Sequence, residues 1–145
     1  MPKIKQISSH KVLNSRGDWS IETEILLDND VKVSQAVPEG ASKGENEALC
    51  LPADKAAYIT STAINDALKD EDPFEQVALD RAMIDMDGTP NKSHLGANSI
   101  LSVSLGLAKA AAASKKVELF EYLGTLFYDK EHVFTKESLP TPVFN

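Results

Sequence analysis

Residues 95–113 constrain the fold more than any other part of the chain. Leu95, Ile100, Leu101, Val103, Leu105, Leu107, Ala108 and the run Ala110 to Ala113 cover nearly every side of a helix, not one stripe. Such a helix is stable only when other elements wrap it, so it belongs at the centre of the molecule. Asn98, three serines and Lys109 interrupt the run, and this polar content excludes a membrane span. A turn-rich segment, Asp87-Gly88-Thr89-Pro90-Asn91-Lys92-Ser93, leads directly into it. The expected helix covers residues 94–114, with Ser93 as its cap and Lys115 and Lys116 beside its negative C-terminal end.

The rest of the sequence supplies the wrapping. Residues 4–13 read as a strand. Residues 20–27 combine β-branched side chains with charge at every second position, the sign of a strand with one wet face. Asp28-Asn29-Asp30 marks a turn and residues 31–37 alternate again, so a three-stranded antiparallel meander is expected. Pro38 ends strand pairing and opens a glycine-bearing loop. A helix is expected from Pro52 to about residue 68. A second should begin with Asp72 as cap and Pro73 in its first position, run to about Met86, and bury Phe74, Val77, Ala78, Ala82 and Met83. A shorter helix, 119–127, precedes a polar connection to Leu139-Pro140-Thr141-Pro142. The fold class is therefore α+β, a three-stranded antiparallel β-meander followed by a helical bundle.

Charge and cysteine content narrow the function. A length of 145 residues fits one domain with its own core. The formal net charge of −7 leaves no basic stripe for nucleic acid, and no basic amphipathic helix addresses a membrane surface. The N-terminus alternates from the start and carries no apolar signal core. The single cysteine, Cys50, excludes an intramolecular disulfide and fits a reducing compartment, so the expected location is cytoplasmic. Cys50 is expected to pack as a small apolar group.

No catalytic constellation stands out. His10, His94 and His132 are far apart and lack metal-ligand spacing, so surface or structural roles are expected. Asp70, Glu71 and Asp72 read as a solvated acidic turn, Asp85 and Asp87 as turn and capping residues, and Arg16 as part of a structural turn before Gly17. The loop from Pro38 to Gly44 carries more chemistry. Gly40 and Gly44 permit close backbone approach, and small Ala41 and Ser42 leave oxygen and amide groups accessible. Such a loop suits closure over an anionic substrate or donation of an oxygen to Mg²⁺. It also reads as an ordinary flexible turn.

Three segments together resemble the N-terminal domain of the enolase family: Ser15-Arg16-Gly17, the 38–44 loop, and Asp87-Gly88-Thr89-Pro90-Asn91-Lys92-Ser93-His94-Leu95-Gly96-Ala97-Asn98. They occur in the family's order, and Leu139-Pro140-Thr141-Pro142-Val143-Phe144-Asn145 is similar to its domain junction. The resemblance implies residues 1–139 as the domain and 140–145 as the start of a connection to an α/β barrel absent from this chain. It also implies Gly40, Ala41, Ser42 and Lys43 as a substrate-closing loop, Ser42 as a Mg²⁺ ligand, and Arg16 and Glu22 near a dimer interface. The implied reaction is dehydration of 2-phosphoglycerate to phosphoenolpyruvate. In that reaction the barrel supplies the lysine base, the acid and the carboxylates for Mg²⁺, so no residue here is catalytic and the chain alone should not turn over. The partners implied are such a barrel or a second copy, with 2-phosphoglycerate once the site is complete.

The chain departs from the family pattern in places. Asp18-Trp19-Ser20 stands for Asn-Pro-Thr, Glu39 for the loop's first serine and Lys43 for its threonine, and the 50–72 segment is shorter. These departures support an alternative reading as a non-catalytic binding or assembly module.

Overall fold

The computed structural model describes residues 1–38, 40 and 44–128. Strands β1 (Ile4–Leu13), β2 (Trp19–Leu27) and β3 (Lys32–Ala36) form an antiparallel sheet in the order β1-β2-β3. The register pairs Leu13 with Trp19, Ile7 with Ile25, and Ile25 with Val33. Alternation places Ile21, Thr23, Ile25 and Leu27 on one face, all buried, and Glu22, Glu24 and Leu26 on the other, which is partly open. The meander expected from the sequence is therefore present, and helices cover its apolar face.

The first helical rod runs from Ala53 to Leu68, as α1 (Ala53–Ile59), a π-helical stretch Thr60–Ile64, and α2 (Asn65–Leu68). It guards the outer edge of β1. Ser61 Oγ accepts the Ser9 amide at 2.8 Å and Asn65 Oδ1 accepts the Ile7 amide at 2.8 Å. These two amides would otherwise be an open template for another strand. At the opposite edge Lys109 Nζ donates to Ser34 O at 3.1 Å.

Helix α3 (Gln76–Asp87) begins later than the sequence implied. Asp72 Oδ1 accepts the Phe74 amide at 2.9 Å and Asp72 O accepts the Glu75 amide at 3.2 Å, a turn that comes before the helix and does not cap it. The buried face also differs. Gln76, Leu79, Met83 and Asp87 point inward, while Val77, Ala78 and Ala82 are exposed. Two polar residues hold places in the inward stripe because each has hydrogen bonds to make, which displaces the apolar residues that hydropathy alone would bury.

Helix α4 (Ala97–Lys115) starts at Ala97, not His94, and Gly96 occupies its cap position. Ser93 Oγ bonds instead to Thr89 Oγ1 at 3.3 Å. The carboxylate of Asp87 takes the amides of His94 at 3.1 Å and Leu95 at 2.7 Å, which holds these residues in a turn. The helix is central as expected, packed against β2, β3, α3 and α5 (Leu119–Tyr128). Its Gly106 lies over the sheet, where an added Cβ would come within 2.8 Å of Ile25 Cδ1. Ile4, Ile7, Ile25, Leu27, Ile64, Leu68, Leu79, Met83, Val103 and Leu107 form the main core around this contact.

Candidate functional site

The segment between Val37 and Leu51 leaves the sheet at the end marked by the Leu13–Trp19 pair. Its first stem is fixed to β2, where the Val37 amide donates to Ile21 O at 3.2 Å and Ser20 Oγ donates to Val37 O. Its second stem is fixed to the entrance of α4. The Leu49 amide donates to Asn91 O at 2.7 Å, and Leu49 O accepts the Ala97 amide at 2.7 Å. Asn98 then grips Leu51 from both sides: Oδ1 accepts the Leu51 amide at 3.1 Å and Nδ2 donates to Leu51 O at 2.9 Å. Gly96 makes room for this grip. It has φ +89°, and a Cβ there would lie 2.7 Å from Asn98 Oδ1 and 2.8 Å from Leu51 Cγ.

Two hollows flank the segment and share Pro38 and Cys50. One, of about 270 Å³, is lined by Trp19, Ser20, Val37, Leu51, Pro52, Ala53 and Asn98 as well. The other, of about 240 Å³, adds Gly40, Gly44, Glu47, Ala48 and Leu49. Cys50 is exposed, not packed as a small apolar group, and it lies between Leu49 and Leu51, which carry backbone contacts to the entrance of α4. The indole of Trp19 is 57% exposed, and Lys11 Nζ lies 4.8 Å from its ring centre while also pairing with Asp54 at 2.7 Å.

Of the loop residues singled out in the sequence, Gly40 is exposed and lines the second hollow. Ala41, Ser42 and Lys43, with Glu39, lie outside the described residues. Arg16 is in the β1–β2 turn, 3.7 Å from Asp18. Glu22 lies on the open face of β2, where it accepts Ser34 Oγ at 3.2 Å and faces His10 Nε2 at 3.4 Å. His94 Nδ1 is 2.8 Å from Asp87 O. His132 is outside the described residues.

Among the described residues no group of three or more His, Cys, Asp or Glu side chains is placed to hold a metal ion. A lone serine hydroxyl does not make a Mg²⁺ site, which needs carboxylates and retained waters. The described residues therefore do not fit such a centre by themselves. The perturbed titrations also lie away from the hollows. Glu24 is held below the usual carboxylate range, chiefly by the hydrogen bond from Lys32, whose Nζ is 2.9 Å away. Burial pushes the Tyr122 phenol up, with Asp72 and Glu75 adding to the effect. No helix among the described residues is long and apolar enough to cross a membrane.

The family model for the enolase N-terminal domain matches residues 4–123. This chain belongs to the enolase N-terminal domain family. The enolase of Lactobacillus acidophilus is 42% identical over 141 residues, covering 90% of this chain and 33% of the relative. The enolase of Lactobacillus helveticus is 41% identical over 141 residues, with the same coverage of 90% and 33%. The chain thus spans about a third of the length of these relatives. In this enolase N-terminal domain, Asp87, Gly96 and Asn98 of the 87–98 segment make the contacts that hold the turn and the second stem.

The Asn98–Leu51 grip escaped the sequence reading. Gly96-Ala97-Asn98 was visible as a helix entry, but its partner lies 47 residues away and carries no matching signal.

Proposed function

We propose that this chain is the capping domain of an enolase, acting with an α/β barrel that residues 1–145 do not contain. Residues 1–139 form the cap and 140–145 begin the connection. The loop Gly40-Ala41-Ser42-Lys43 closes over 2-phosphoglycerate, and Ser42 offers one oxygen to a Mg²⁺ ion that barrel carboxylates hold. Arg16 and Glu22 lie at the contact between two copies, and the assembly works in the cytoplasm. The observation carrying this reading is the match over residues 4–123 combined with a loop whose two stems are tied to β2 and to α4.

The chemistry explains the division of labour. Taking a proton from the carbon beside a carboxylate builds up a doubly charged enediolate. A base and divalent metal must act together, a case for which the enolase superfamily is itself the standard illustration. The cap contributes placement and exclusion of water. When bound, Mg²⁺ would stabilise the developing anion. In this reading the barrel supplies both the base and the metal carboxylates, and the cap places substrate without turning it over by itself.

Adding the purified chain to a truncated enolase barrel with Mg²⁺ and 2-phosphoglycerate, and following phosphoenolpyruvate, tests the reading. Activity should appear on mixing and fall at least tenfold with Ser42→Ala. A second reading, a binding or assembly module without metal chemistry, draws on Glu39 and Lys43 in the loop. It predicts that barrel binding occurs without turnover and is unchanged in Ser42→Ala.

A further inference from the structure

We infer that Asn98 is a positioning residue for the second stem of the segment that follows Val37, residues 49–51, acting through Leu51 and touching no substrate itself. The inference deepens the reading of this segment as a substrate loop and rests on it for its functional consequence.

Between its stems the segment has few other ties among the described residues. Glu47 N donates to Gly44 O at 3.2 Å, a local turn that fixes nothing relative to the domain. Pro38, Gly40 and residues 44–50 are all exposed. Hydrogen bonds tie the segment to the rest of the domain at its two stems. The first stem continues β3 and inherits the rigidity of the sheet. The second has no sheet behind it. Leu49 exchanges hydrogen bonds with Asn91 and Ala97, and Leu51 is gripped through both its amide and its carbonyl by one side chain.

Asn98 itself sits in the first turn of α4, whose inward face, with Val103, Leu107 and Ala110, is part of the main core. Its side chain thus ties the foot of the segment to a helix anchored in the core. Gly96 shows how closely the parts fit, since a methyl group there would displace Asn98 Oδ1 and Leu51 together. Only an amide of this reach serves. A carboxylate keeps the acceptor and loses the donor, and alanine loses both.

Asn65 provides a matched control. It also grips a backbone amide, that of Ile7 at 2.8 Å, but against the middle of β1. Hydrogen exchange in the intact chain is compared for wild type, Asn98→Ala and Asn65→Ala. The Leu49 amide is the informative probe, because its acceptor is Asn91 O and not Asn98. Each lost hydrogen bond changes a local opening equilibrium several-fold, so Asn98→Ala should speed Leu49 exchange about tenfold or more. Asn65→Ala should leave it within about twofold while exposing the Ile7 amide. Equal rates at Leu49 in wild type and Asn98→Ala, or the same acceleration in both variants, overturn the inference.

In the chain completed by a barrel, Asn98→Ala should lower kcat/KM about tenfold, with Asn65→Ala near wild type. Kinetics that follow unfolding midpoints alike in both variants overturn the inference. A completed wild type without turnover, alongside the Leu49 contrast, overturns only the proposed enolase role and leaves Asn98 as the anchor of the segment.

Discussion

At the scale of single residues, Asp87 does the most with the least surface. It is 1% exposed, and its carboxylate accepts the amides of Thr89 at 3.0 Å, His94 at 3.1 Å and Leu95 at 2.7 Å, with the Thr89 hydroxyl as a fourth donor. Burial alone would raise its pKa. Hydrogen bonds from Thr89, Leu95 and His94 outweigh burial and hold it below the ordinary 3.8. The ionised form is thus favoured by folding. Its contribution is fully present above the ordinary value and is lost as pH falls through the lowered one. Asp87→Asn turns one acceptor into a donor facing donors, so a loss of about 2–3 kcal/mol is expected at pH 7. Urea midpoints measured at pH 7 and pH 3 should show the gap between wild type and Asp87→Asn narrowing at the lower pH. A gap that stays constant would mean that the charge contributes nothing.

At the scale of elements, helix α4 meets the sheet closely where Gly106 lies over Ile25. Alanine in place of a helical glycine ordinarily gains about 1 kcal/mol. Here the new methyl would stand 2.8 Å from Ile25 Cδ1 in a fully buried site, and overpacking of this kind costs about 1–3 kcal/mol. Overpacking wins, so Gly106→Ala should lower the thermal midpoint. Adding Ile25→Val removes the clashing atom, and the double variant should be more stable than Gly106→Ala alone. Calorimetry on wild type, Gly106→Ala and the double variant checks both steps. The same helix shows what could be read beforehand. Its all-round apolar surface announced a central place, and alternation in residues 20–27 announced a sheet with one wet face. The inward stripe of α3 was hidden because Gln76 and Asp87 are buried for their hydrogen bonds, which hydropathy does not register. The π-helical stretch at 60–64 was hidden for a similar reason: Ser61 and Asn65 answer to amides on β1 more than fifty residues away. The candidate site divides in the same way. Its glycines and entry motif were legible as local patterns, whereas the Leu51 partner of Asn98 and the hollow beside Trp19 exist only after folding.

At the scale of the whole molecule, α5 presents an apolar surface that the described fold leaves uncovered. Tyr122 and Gly124 face inward onto α4, while Leu123 is 43%, Leu126 38% and Phe127 81% exposed. Phe120 is 52% exposed, three residues before Leu123 and seven before Phe127, on one helical face. Contiguous patches of this kind are rare on a protein surface with no partner. The chain spans a third of its relatives, and α5 is the last described element before the expected connection to the rest of an enolase. A barrel seated on this face would bury aromatic and leucine side chains at about 25 cal/mol per Å². Leu123→Ser with Phe127→Ser should therefore weaken association with a truncated enolase barrel at least tenfold by calorimetric titration. The same pair should change the unfolding midpoint little, because exposed positions contribute within about 0.5 kcal/mol. Ser42→Ala, remote in sequence from α5, should bind the barrel as wild type does. If the double serine variant binds unchanged, the barrel sits elsewhere. If both variants weaken binding equally, loop and helix are not separable, and the proposed division into a substrate-placing loop and a barrel-seating helix fails.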